Sequence, residues 1–342
     1  MTTTDAEWAI EASGLTKHFG DRVAVADLAL AVAENALCGL LGPDGAGKTT
    51  TIRMLATVLA ATSGDAQIFG HSVTRHPGRV TPLIGYMPQK FSMYPDLTVA
   101  ENVDFFATIR GVPKAGRRAR AAELLERMGL GPFARRRARD LSGGMKQKLM
   151  LTSVLMHSPR VLLLDEPTTG VDPVSRHEFW EILAELRASG ATVLVATPYM
   201  DEAERCSDLV FLDAGQVRHH GTPAQIKALV AGDLYEAHAP DPRAALAALA
   251  SMLLVTSCHL FGDVVRVLVP AGTADAGTQL RTALRRAGVD ATVTPAEIDM
   301  ETAFAAIAEQ EHAPLGLVGA DASTSADDTH GTVAPHPRRA EP

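Results

Sequence analysis

The stretch GPDGAGKTT, which begins at Gly42, has residue types and a spacing that suit phosphate binding. It fits the pattern G-x-x-x-x-G-K-[ST] and lies between a predicted buried strand and a predicted helix. Glycines let backbone N–H groups turn toward a phosphate, and the start of a helix adds positive potential. We expect Lys48 to reach the β- and γ-phosphates of a nucleotide and Thr49 to bind Mg²⁺. The residues expected to contact the nucleotide here are Gly42, Pro43, Asp44, Gly45, Ala46, Gly47, Lys48, Thr49 and Thr50.

A second group of candidate residues lies at the end of an apolar run. The segment VLLLDEP predicts a buried strand that ends in Asp165 and Glu166. Asp165 could hold Mg²⁺ through water, and Glu166 could polarise an attacking water molecule. Two acids after a strand also suit the start of a helix, so this pair is informative only together with the phosphate-binding loop.

The segment DLSGGMKQKLML suggests a second place for an anion. Ser142, Gly143 and Gly144 open a predicted helix, whose first N–H groups point beyond its end. One nucleotide needs only one phosphate-binding loop, and the sequence has only one such motif. The second helix start therefore suggests a site that another subunit completes.

With these motifs in this order, residues 8–230 resemble the ATP-binding cassette (ABC) ATPases, whose signature is LSGGQ. Met145 replaces the glutamine and leaves the serine and the glycines in place. The resemblance implies ATP and Mg²⁺ as cofactors and a dimer in which two cassettes enclose two ATP molecules. Each site would join the loop of one chain to the signature of the other, in a homodimer or a heterodimer.

The resemblance also implies roles for three residues outside these motifs. Gln89 in YMPQK is similar to the Q-loop glutamine, which would sense the metal and the attacking water and couple to the membrane subunit. Asp172 in TTGVDP is similar to the D-loop aspartate at the dimer interface. Phe19 in LTKHFG is similar to the aromatic residue that stacks on adenine, although a core phenylalanine would fit the pattern as well. The implied catalytic residues are Glu166, Lys48 and Gln89. The implied metal-binding residues are Thr49, Gln89 and Asp165.

The finer resemblance is to the drug- and antibiotic-exporter branch, which includes daunorubicin-resistance-type proteins. The segments FSMYPDLTVAENVDFFATIRGV, DEPTTGVDP and YMDEAER have that character. A member of this branch would hydrolyse ATP at the cytoplasmic face of the membrane and power separate integral membrane permease subunits. The family normally has a switch histidine directly before YMDEAE, where it contacts the γ-phosphate, but this chain has Pro198 there.

The hydrophobic pattern predicts the elements that position these residues. Up to about residue 230, short apolar strands alternate with helical segments, which predicts an α/β fold with a parallel sheet. Thr98 and Glu101 predict a capping box, and Asp172 predicts the N-cap of a later helix. The resemblance implies a P-loop NTPase ABC cassette over 1–230, with a RecA-like core and a helical subdomain that carries the signature.

After residue 230 the pattern changes. Residues 231–311 predict a small α+β domain, with strands near LLVTSCHL and VVRVLVP and a helix at AGTQLRTALRRAG. This segment has no phosphate loop and no convergent acids, so we expect it to regulate the cassette or to stabilise a dimer. Residues 312–342 have no periodicity, which is typical of a disordered tail.

The composition disfavours several classes of function. The 342 residues carry a formal charge of −8, whereas nucleic-acid binding needs a basic face. No apolar run approaches the roughly 20 residues of a membrane helix, and the N-terminus lacks the pattern of a signal peptide. Three cysteines without a CxxC pair indicate neither a disulfide framework nor a zinc site. We therefore expect a chain that does not span a membrane by itself and does not bind nucleic acid. Peripheral attachment to the membrane is what the resemblance to exporter subunits implies.

Two further features suggest structural rather than chemical roles. His219 and His220 are adjacent, and neighbouring strand residues point to opposite faces, so a shared metal site is not expected. The basic run RRRAR at 135–139 predicts a solvated face, with lipid headgroups or a partner loop as the alternatives.

Other functions remain to be weighed against an exporter subunit. Soluble ABC proteins of translation usually carry two cassettes, and those of DNA repair insert long coiled coils, whereas residues 50–141 contain no sustained heptads. The alternative is a nucleotide-dependent clamp or regulator with little ATP turnover. It is motivated by Pro198 and opposed by the intact Glu166.

Overall fold

The computed structural model describes residues 8–312 of the protein. The strands, in chain order, are β1 (Trp8–Phe19), β2 (Arg22–Ala33), β3 (Leu37–Leu41), β4 (Ser63–Ile68), β5 (His71–Ser72), β6 (Ile84–Met87), β7 (Val161–Asp165), β8 (Thr192–Ala196), β9 (Asp208–Asp213), β10 (Gln216–Gly221), β11 (Asp233–His238), β12 (Ser257–Phe261), β13 (Val264–Val269) and β14 (Thr292–Ala296). The helices are α1 (Lys48–Leu55), α2 (Pro77–Val80), α3 (Val99–Ile109), α4 (Lys114–Arg127), α5 (Gly143–Leu155), α6 (Pro173–Ala188), α7 (Met200–Ala203), α8 (Pro223–Lys227), α9 (Pro242–Ala250), α10 (Ala276–Arg286) and α11 (Met300–His312).

The central sheet has six strands in the order β10-β9-β3-β8-β7-β6. Its neighbours from β9 to β6 run parallel, and β10 joins β9 antiparallel. Every residue of β3, β7 and β8 is buried, as expected for parallel strands that are covered on both faces. The predicted parallel α/β sheet is therefore confirmed. Because these strands run in one direction, the segments that follow β3, β6, β7 and β8 meet at one edge.

An antiparallel sheet that the hydrophobic pattern did not predict lies beside the central one. Its order is β2-β1-β4-β5, and the ladder between β1 and β2 contains several register shifts. One apolar face packs with the central sheet and α1 in a shared core that includes Ile10, Leu28 and Ile52. This sheet places Phe19 at the end of β1, within reach of the phosphate-binding loop.

A helical lobe between β6 and β7 contains α3, α4 and α5. The capping box at the start of α3 is confirmed, because Thr98 accepts from the Glu101 N–H while the Glu101 side chain accepts from the Thr98 N–H. The buried Asn102 side chain donates to the carbonyls of Tyr94, Leu97 and Thr98 and so fixes the loop before the helix. The lobe shares its core with one face of the central sheet.

The segment after residue 230 forms a third sheet with the order β12-β13-β11-β14, all antiparallel. Strands and helices alternate as βαββαβ, the arrangement of ferredoxin-like domains. Helices α9 and α10 cover one face of this sheet. The predicted α+β character is borne out, although β11 and β14 were not foreseen. The strand expected near LLVTSCHL begins only at Ser257, since turns separate α9 from β12 and Leu253 is fully exposed.

Helix α11 covers the other face of this third sheet and also contacts the first 230 residues. Ala303 and Ala306 pack with Leu234 and Leu268 of the sheet. Met300 and Ile307 belong to the core of the helical lobe and the central sheet. The predicted tail was expected to begin at residue 312, but α11 includes His312, and the remaining residues 313–342 lie outside the described part of the chain. Within residues 8–312, no helix has the length and apolar character needed to cross a bilayer.

Candidate functional site

The loop between β3 and α1 has a backbone that only glycine can adopt at two points. Gly42 has φ 147°, and a Cβ atom there would lie 2.1 Å from the carbonyl oxygen of Leu212. Gly47 has φ 102°, and a Cβ atom there would lie 2.6 Å from the carbonyl oxygen of Ala24. The two glycines let the loop curl against β9 and β2 and enter the helix at Lys48. The loop borders a cleft of about 310 Å³, which is lined by Phe19, Arg22, Ala24, Asp44, Gly45, Ala46, Gly47, Lys48, Thr49, Thr50 and Glu166.

Lys48 lines this cleft and is 5% exposed. Its ammonium group donates to the carbonyl oxygens of Gly42 at 2.7 Å and Pro43 at 3.0 Å. Burial lowers the pKa of Lys48, and the surrounding carboxylates, led by Glu166, oppose that change. The side chain is thus folded over its own loop, where a phosphate could exchange for the carbonyl oxygens.

Asp165 ends β7 beside the first turn of α1. The Thr49 hydroxyl donates to its Oδ1 at 2.8 Å, and the residue is completely buried. Burial raises the pKa of Asp165, while the hydrogen bond from Thr49 opposes the rise. Among the described residues, no group donates to the second carboxylate oxygen, Oδ2. A hydroxyl and an orphaned carboxylate oxygen suit Mg²⁺, which keeps several waters and takes its other ligands from phosphates. The residues present therefore fit the metal.

Gln89 and Glu166 meet across the same edge of the sheet. The Gln89 Nε2 donates to Glu166 Oε2 at 2.6 Å, and the Thr169 hydroxyl donates to the same oxygen at 3.2 Å. Glu166 has φ 49°, a left-handed conformation that is uncommon for a residue with a Cβ. The surrounding bonds hold it there, including one from its own N–H to the carbonyl of Ala196 at 3.0 Å. Residues in such conformations cluster at functional sites.

Phe19 is 51% exposed, so the alternative of a core phenylalanine is wrong. The Lys17 ammonium lies 5.2 Å from the centre of its ring, and the ring borders the cleft. An exposed aromatic face next to a phosphate-binding loop could stack on a base. The neighbouring Arg22 also lines the cleft, and no sequence motif marked it.

The signature residues and Asp172 lie elsewhere and do not line this cleft. Ser142 is the N-cap of α5, where its hydroxyl oxygen accepts from the Met145 N–H at 3.3 Å. Gly144 packs so closely on α6 that a Cβ atom would lie 2.5 Å from Ser175. Asp172 caps α6, because its Oδ1 accepts from the Ser175 N–H at 2.9 Å. The Met145 side chain packs against the apolar core of the lobe. The glutamine of the family is polar and would not make this apolar contact.

Pro198 is exposed and follows β8 after the buried Thr197. The strand ends at Ala196, so the missing N–H of proline breaks no ladder. The Tyr199 N–H turns back to the Thr197 hydroxyl oxygen at 3.1 Å. Pro198 is not among the residues that line the cleft.

Two comparisons place the chain among known proteins. A family model described as ABC transporter matches residues 25–169. Over 258 residues, the chain is 40% identical to the daunorubicin/doxorubicin resistance ATP-binding protein DrrA of Streptomyces peucetius, which covers 75% of this chain and 78% of that protein. The chain belongs to the ATP-binding subunits of the ABC transporter family. This agrees with the exporter branch that the sequence motifs indicated.

Other relatives of this ABC subunit differ in how much they share with it. It is 41% identical over 238 residues to the Nod factor export ATP-binding protein I of Paraburkholderia xenovorans, with 69% of this chain and 78% of that protein covered. It is 46% identical over 225 residues to the probable multidrug ABC transporter ATP-binding protein YbhF of Escherichia coli. That match covers 65% of this chain but only 39% of YbhF, so the chain spans about two fifths of that relative.

Solved structures resemble the cassette part of this ABC subunit. One is described as the ATP-binding subunit of an ABC transporter, with 28% identity, a TM-score of 0.59 and coverage of 65% of this chain and 92% of that chain. Another is described as a dimeric post-hydrolysis state of an ATP-binding cassette bound to ADP and Pi, with 25% identity, a TM-score of 0.57 and coverage of 62% and 98%. The predicted ABC fold is therefore confirmed.

Proposed function

We propose that this ABC subunit hydrolyses Mg²⁺-ATP and that the hydrolysis powers export through separate membrane permease subunits. The observation that carries the proposal is the pairing at the edge of the central sheet. The Thr49–Asp165 pair and the Gln89–Glu166 pair flank the buried Lys48 at the ends of β3, β6 and β7. Such a group can bind phosphates and hold a water molecule for attack.

Each residue of the group has a distinct task. Lys48 binds the β- and γ-phosphates and leaves its loop carbonyls to do so, while the loop N–H groups hold the phosphate oxygens. Thr49, Asp165 and Gln89 would hold Mg²⁺, which supplies neutralising charge when bound. Glu166 accepts a proton from the attacking water, and Gln89 fixes the orientation of that carboxylate. Phe19 stacks on the base.

We further propose that the complete site forms between two cassettes. The cleft of this chain is not lined by Ser142, Gly143, Gly144 or Asp172, so a second cassette would supply them. Although the Ser142 oxygen accepts a bond at the N-cap, its hydroxyl hydrogen is left to donate to a phosphate. The related cassette with ADP and Pi is described as dimeric, which supports this arrangement. The partner is a second copy or a related subunit.

A groove on the helical lobe supports a membrane partner. It measures about 660 Å³ and lies between the end of α3 and the end of α5, with Ile109, Arg110, Val112 and His157 in its lining. Ile109 is 63% exposed, and burial lowers the pKa of the neighbouring Arg110. Arg110 also borders a small cavity beside Pro88, directly before Gln89. A permease segment in this groove would lie next to Gln89 and hold the subunit at the cytoplasmic face of the membrane.

We propose a division into a cassette over 1–230 and a regulatory or dimer-stabilising domain over 231–311. The separate third sheet and its own core support this division. Relatives named for drug resistance or Nod factor export support the direction of transport. These names do not favour the alternative of a clamp with little turnover.

The first test is phosphate release by the purified chain at saturating Mg²⁺-ATP, compared with Lys48→Ala and Glu166→Gln. Lys48→Ala should bind ATP about 10- to 100-fold more weakly in calorimetry, since hydrogen bonds to charged groups contribute roughly 1.5–3 kcal/mol. Lys227→Ala, which removes a surface partner of Glu204 at 3.1 Å, is the matched control and should bind normally. Equal affinity in Lys48→Ala would refute the assigned phosphate site.

The second test concerns the dimer. The Glu166→Gln protein should bind ATP without hydrolysing it. It should accumulate as a dimer in analytical ultracentrifugation, because hydrolysis no longer opens the ATP-bound dimer. Adding Ser142→Ala to Glu166→Gln should reduce the dimer fraction. A Glu166→Gln protein that stays monomeric with ATP, both alone and with permease subunits, would contradict the shared site.

A further inference from the structure

Helix α7 carries a buried carboxylate that the proposed site does not use. Glu202 is 1% exposed, although it lies in a four-residue helix that begins two residues after Pro198. A carboxylate removed from water is costly unless hydrogen bonds compensate it. The partners of Glu202 therefore decide what it does.

Two buried threonine hydroxyls donate to Glu202, one to each oxygen. The Thr168 hydroxyl lies 2.7 Å from Oε1, and the Thr197 hydroxyl donates to Oε2. Both threonines are at most 1% exposed. Thr197 is held further by the Tyr199 N–H, which donates to its hydroxyl oxygen at 3.1 Å.

The two threonines belong to the two loops that meet at the nucleotide edge of the sheet. Thr168 is two residues after Glu166, in the loop that follows β7. Thr197 directly precedes Pro198, in the loop that follows β8. One carboxylate thus joins the loop of the proposed general base to the loop of the switch position.

An arginine of α6 supports the same junction from outside. The Arg176 Nε lies 4.0 Å from Glu202 Oε1, and the guanidinium carbon lies 4.4 Å from the centre of the Tyr199 ring. Arg176 therefore ties α6, which Asp172 caps, to the loop after β8. Arg176 also lies 3.9 Å from Asp201 Oδ1, so two carboxylates share its guanidinium group.

We propose that Glu202 is a positioning residue for ATP hydrolysis, which fixes the loop of Glu166 relative to the loop of residue 198. The proposal rests on the hydrolytic function proposed above. Pro198 has no side-chain donor, so this loop cannot be fixed by a hydrogen bond to the phosphate, as a histidine would allow. Glu202 fixes the loop through Thr197, on the side away from the nucleotide, and does not contact the nucleotide.

The test compares Glu202→Ala and Glu202→Gln in the full chain, with Glu204→Gln as the matched control on the same segment. Glu202→Ala should lower kcat roughly 10- to 100-fold, because small displacements of catalytic groups have effects of that order. KM and the Kd for Mg²⁺-ATP should change little, since the phosphate-binding loop is untouched. Glu202→Gln should keep kcat within about threefold, because an amide can accept from one hydroxyl and donate to the other oxygen. Glu204, an exposed residue paired with Lys227, should be replaceable without effect.

Threonine variants keep the test decisive if Glu202→Ala does not fold. Thr168→Val and Thr197→Val remove one donor each at nearly constant volume, while Thr168→Ser and Thr197→Ser keep it. Both valine variants should lower kcat at unchanged Kd, and the serine variants should restore it. In a double-mutant cycle the two valine changes should be strongly non-additive in kcat, because both act through one carboxylate.

The outcomes separate this proposal from the function on which it rests. If wild type releases phosphate and the alanine and valine variants match it in kcat, Glu202 is not a positioning residue. If wild type releases none, even with permease subunits, the hydrolytic function fails. In that case amide hydrogen exchange still tests whether Glu202 joins the two loops. It is measured at the residues of these loops that carry an amide hydrogen, namely Glu166, Thr168, Thr169, Thr197, Tyr199 and Met200. Exchange in Glu202→Ala as slow as in wild type would refute this connection.

Discussion

At the residue scale, the site keeps its ionisable groups close together and largely out of water. Burial raises the pKa of Asp165 and lowers the pKa of Lys48, so it disfavours the charged form of each group. A ligand of opposite charge would stabilise the charged form of each group, since it replaces the interactions with water that are lost on burial. Glu166, whose backbone has an uncommon left-handed conformation, lies in the same site. Under the proposed function, we expect a nucleotide with its metal to be that ligand.

The clearest departure from the family at this scale is Pro198. Losing one fixed catalytic contact typically costs about 10²–10³ in rate, so this site should turn over slowly or depend on a partner cassette. Pro198→His should raise phosphate release at saturating ATP or leave it level. Glu166→Gln should abolish release in either background, because the proposed base is then missing.

The control for this experiment is Pro198→Ala, which removes the ring without adding a donor. It should leave turnover unchanged, because the preceding strand already ends at Ala196. A fast wild type that Pro198→His slows sharply, while Pro198→Ala does not, would mean that this site has a different catalytic geometry.

At the element scale, an ion pair fastens strand β10 to β9 and predicts a pH dependence. His220 Nε2 lies 2.5 Å from Asp208 Oδ2, and this hydrogen bond raises the pKa of His220 above its ordinary value of 6.5. A raised folded-state pKa stabilises the protein fully below 6.5, and the stabilisation disappears as the pH rises through the raised value. In thermal unfolding, the melting temperature of wild type should exceed that of His220→Gln most at about pH 6. The difference should become smaller at higher pH.

Asp208→Asn is the matched partner variant for that measurement. It removes the charge that stabilises the imidazolium, so it should lose the same pH-dependent part of the thermal stability. A difference between wild type and His220→Gln that is constant from acid to alkaline pH would contradict the role of the charged pair. The side chain of His220 is 37% exposed, so the effect should be small and weaker in high salt.

The elements also show what local sequence can and cannot predict. The phosphate-binding loop, the buried strand of Asp165 and the capped starts of α3 and α6 were predicted because their signals lie within a few residues. The antiparallel sheet of β1 and β2 was not, because its bulged ladder breaks the alternation of apolar residues. β14 was missed because four of its five residues are exposed or half-buried.

Burial of single polar residues is likewise set by distant parts of the chain. Glu202 stands in the acidic segment YMDEAER, where its neighbours Asp201 and Glu204 are exposed. Only the packing of α7 against the loops after β7 and β8 buries it. Sequence spacing alone could not distinguish it from the surface acids beside it.

At the scale of the whole molecule, α11 connects the third sheet to the cassette. Its Phe304 ring lies 5.2 Å from the ring of Phe211 on β9, at an interplanar angle of 69°. On its other side, Glu309 accepts from Ser257 at 3.0 Å and pairs with His259 at 3.1 Å. Helix α11 also contacts α7, which carries Glu202, so we expect a movement of the third sheet to displace α7.

Truncation tests the proposed separation of the two parts. A chain that ends before Leu234 should keep its affinity for Mg²⁺-ATP, because no residue of the cleft lies beyond Glu166. Its free energy of unfolding should fall by several kcal/mol, since Met300 and Ile307 each contribute roughly 1.5–3 kcal/mol by burial. Assembly or transport should change as well.

The control for the truncation is a chain that ends after His312 and so keeps α11. It should match the full chain in both stability and ATP affinity. Calorimetry and chemical denaturation would measure the two properties on the same samples. A shorter chain that stays folded but no longer binds ATP would show that the third sheet is part of the nucleotide site.

The position of α11 in the chain has a consequence for biosynthesis. Two separate cores are completed by this one helix, which emerges from the ribosome about 80 residues after the cassette. At about 5–20 residues per second, the nascent cassette waits roughly 4–16 s with its docking surface on α7 and α8 uncovered. During that interval the apolar surface is open to other nascent chains and to chaperones. Ribosome-bound intermediates that stop before Met300 should therefore recruit chaperones more strongly than those that have released α11.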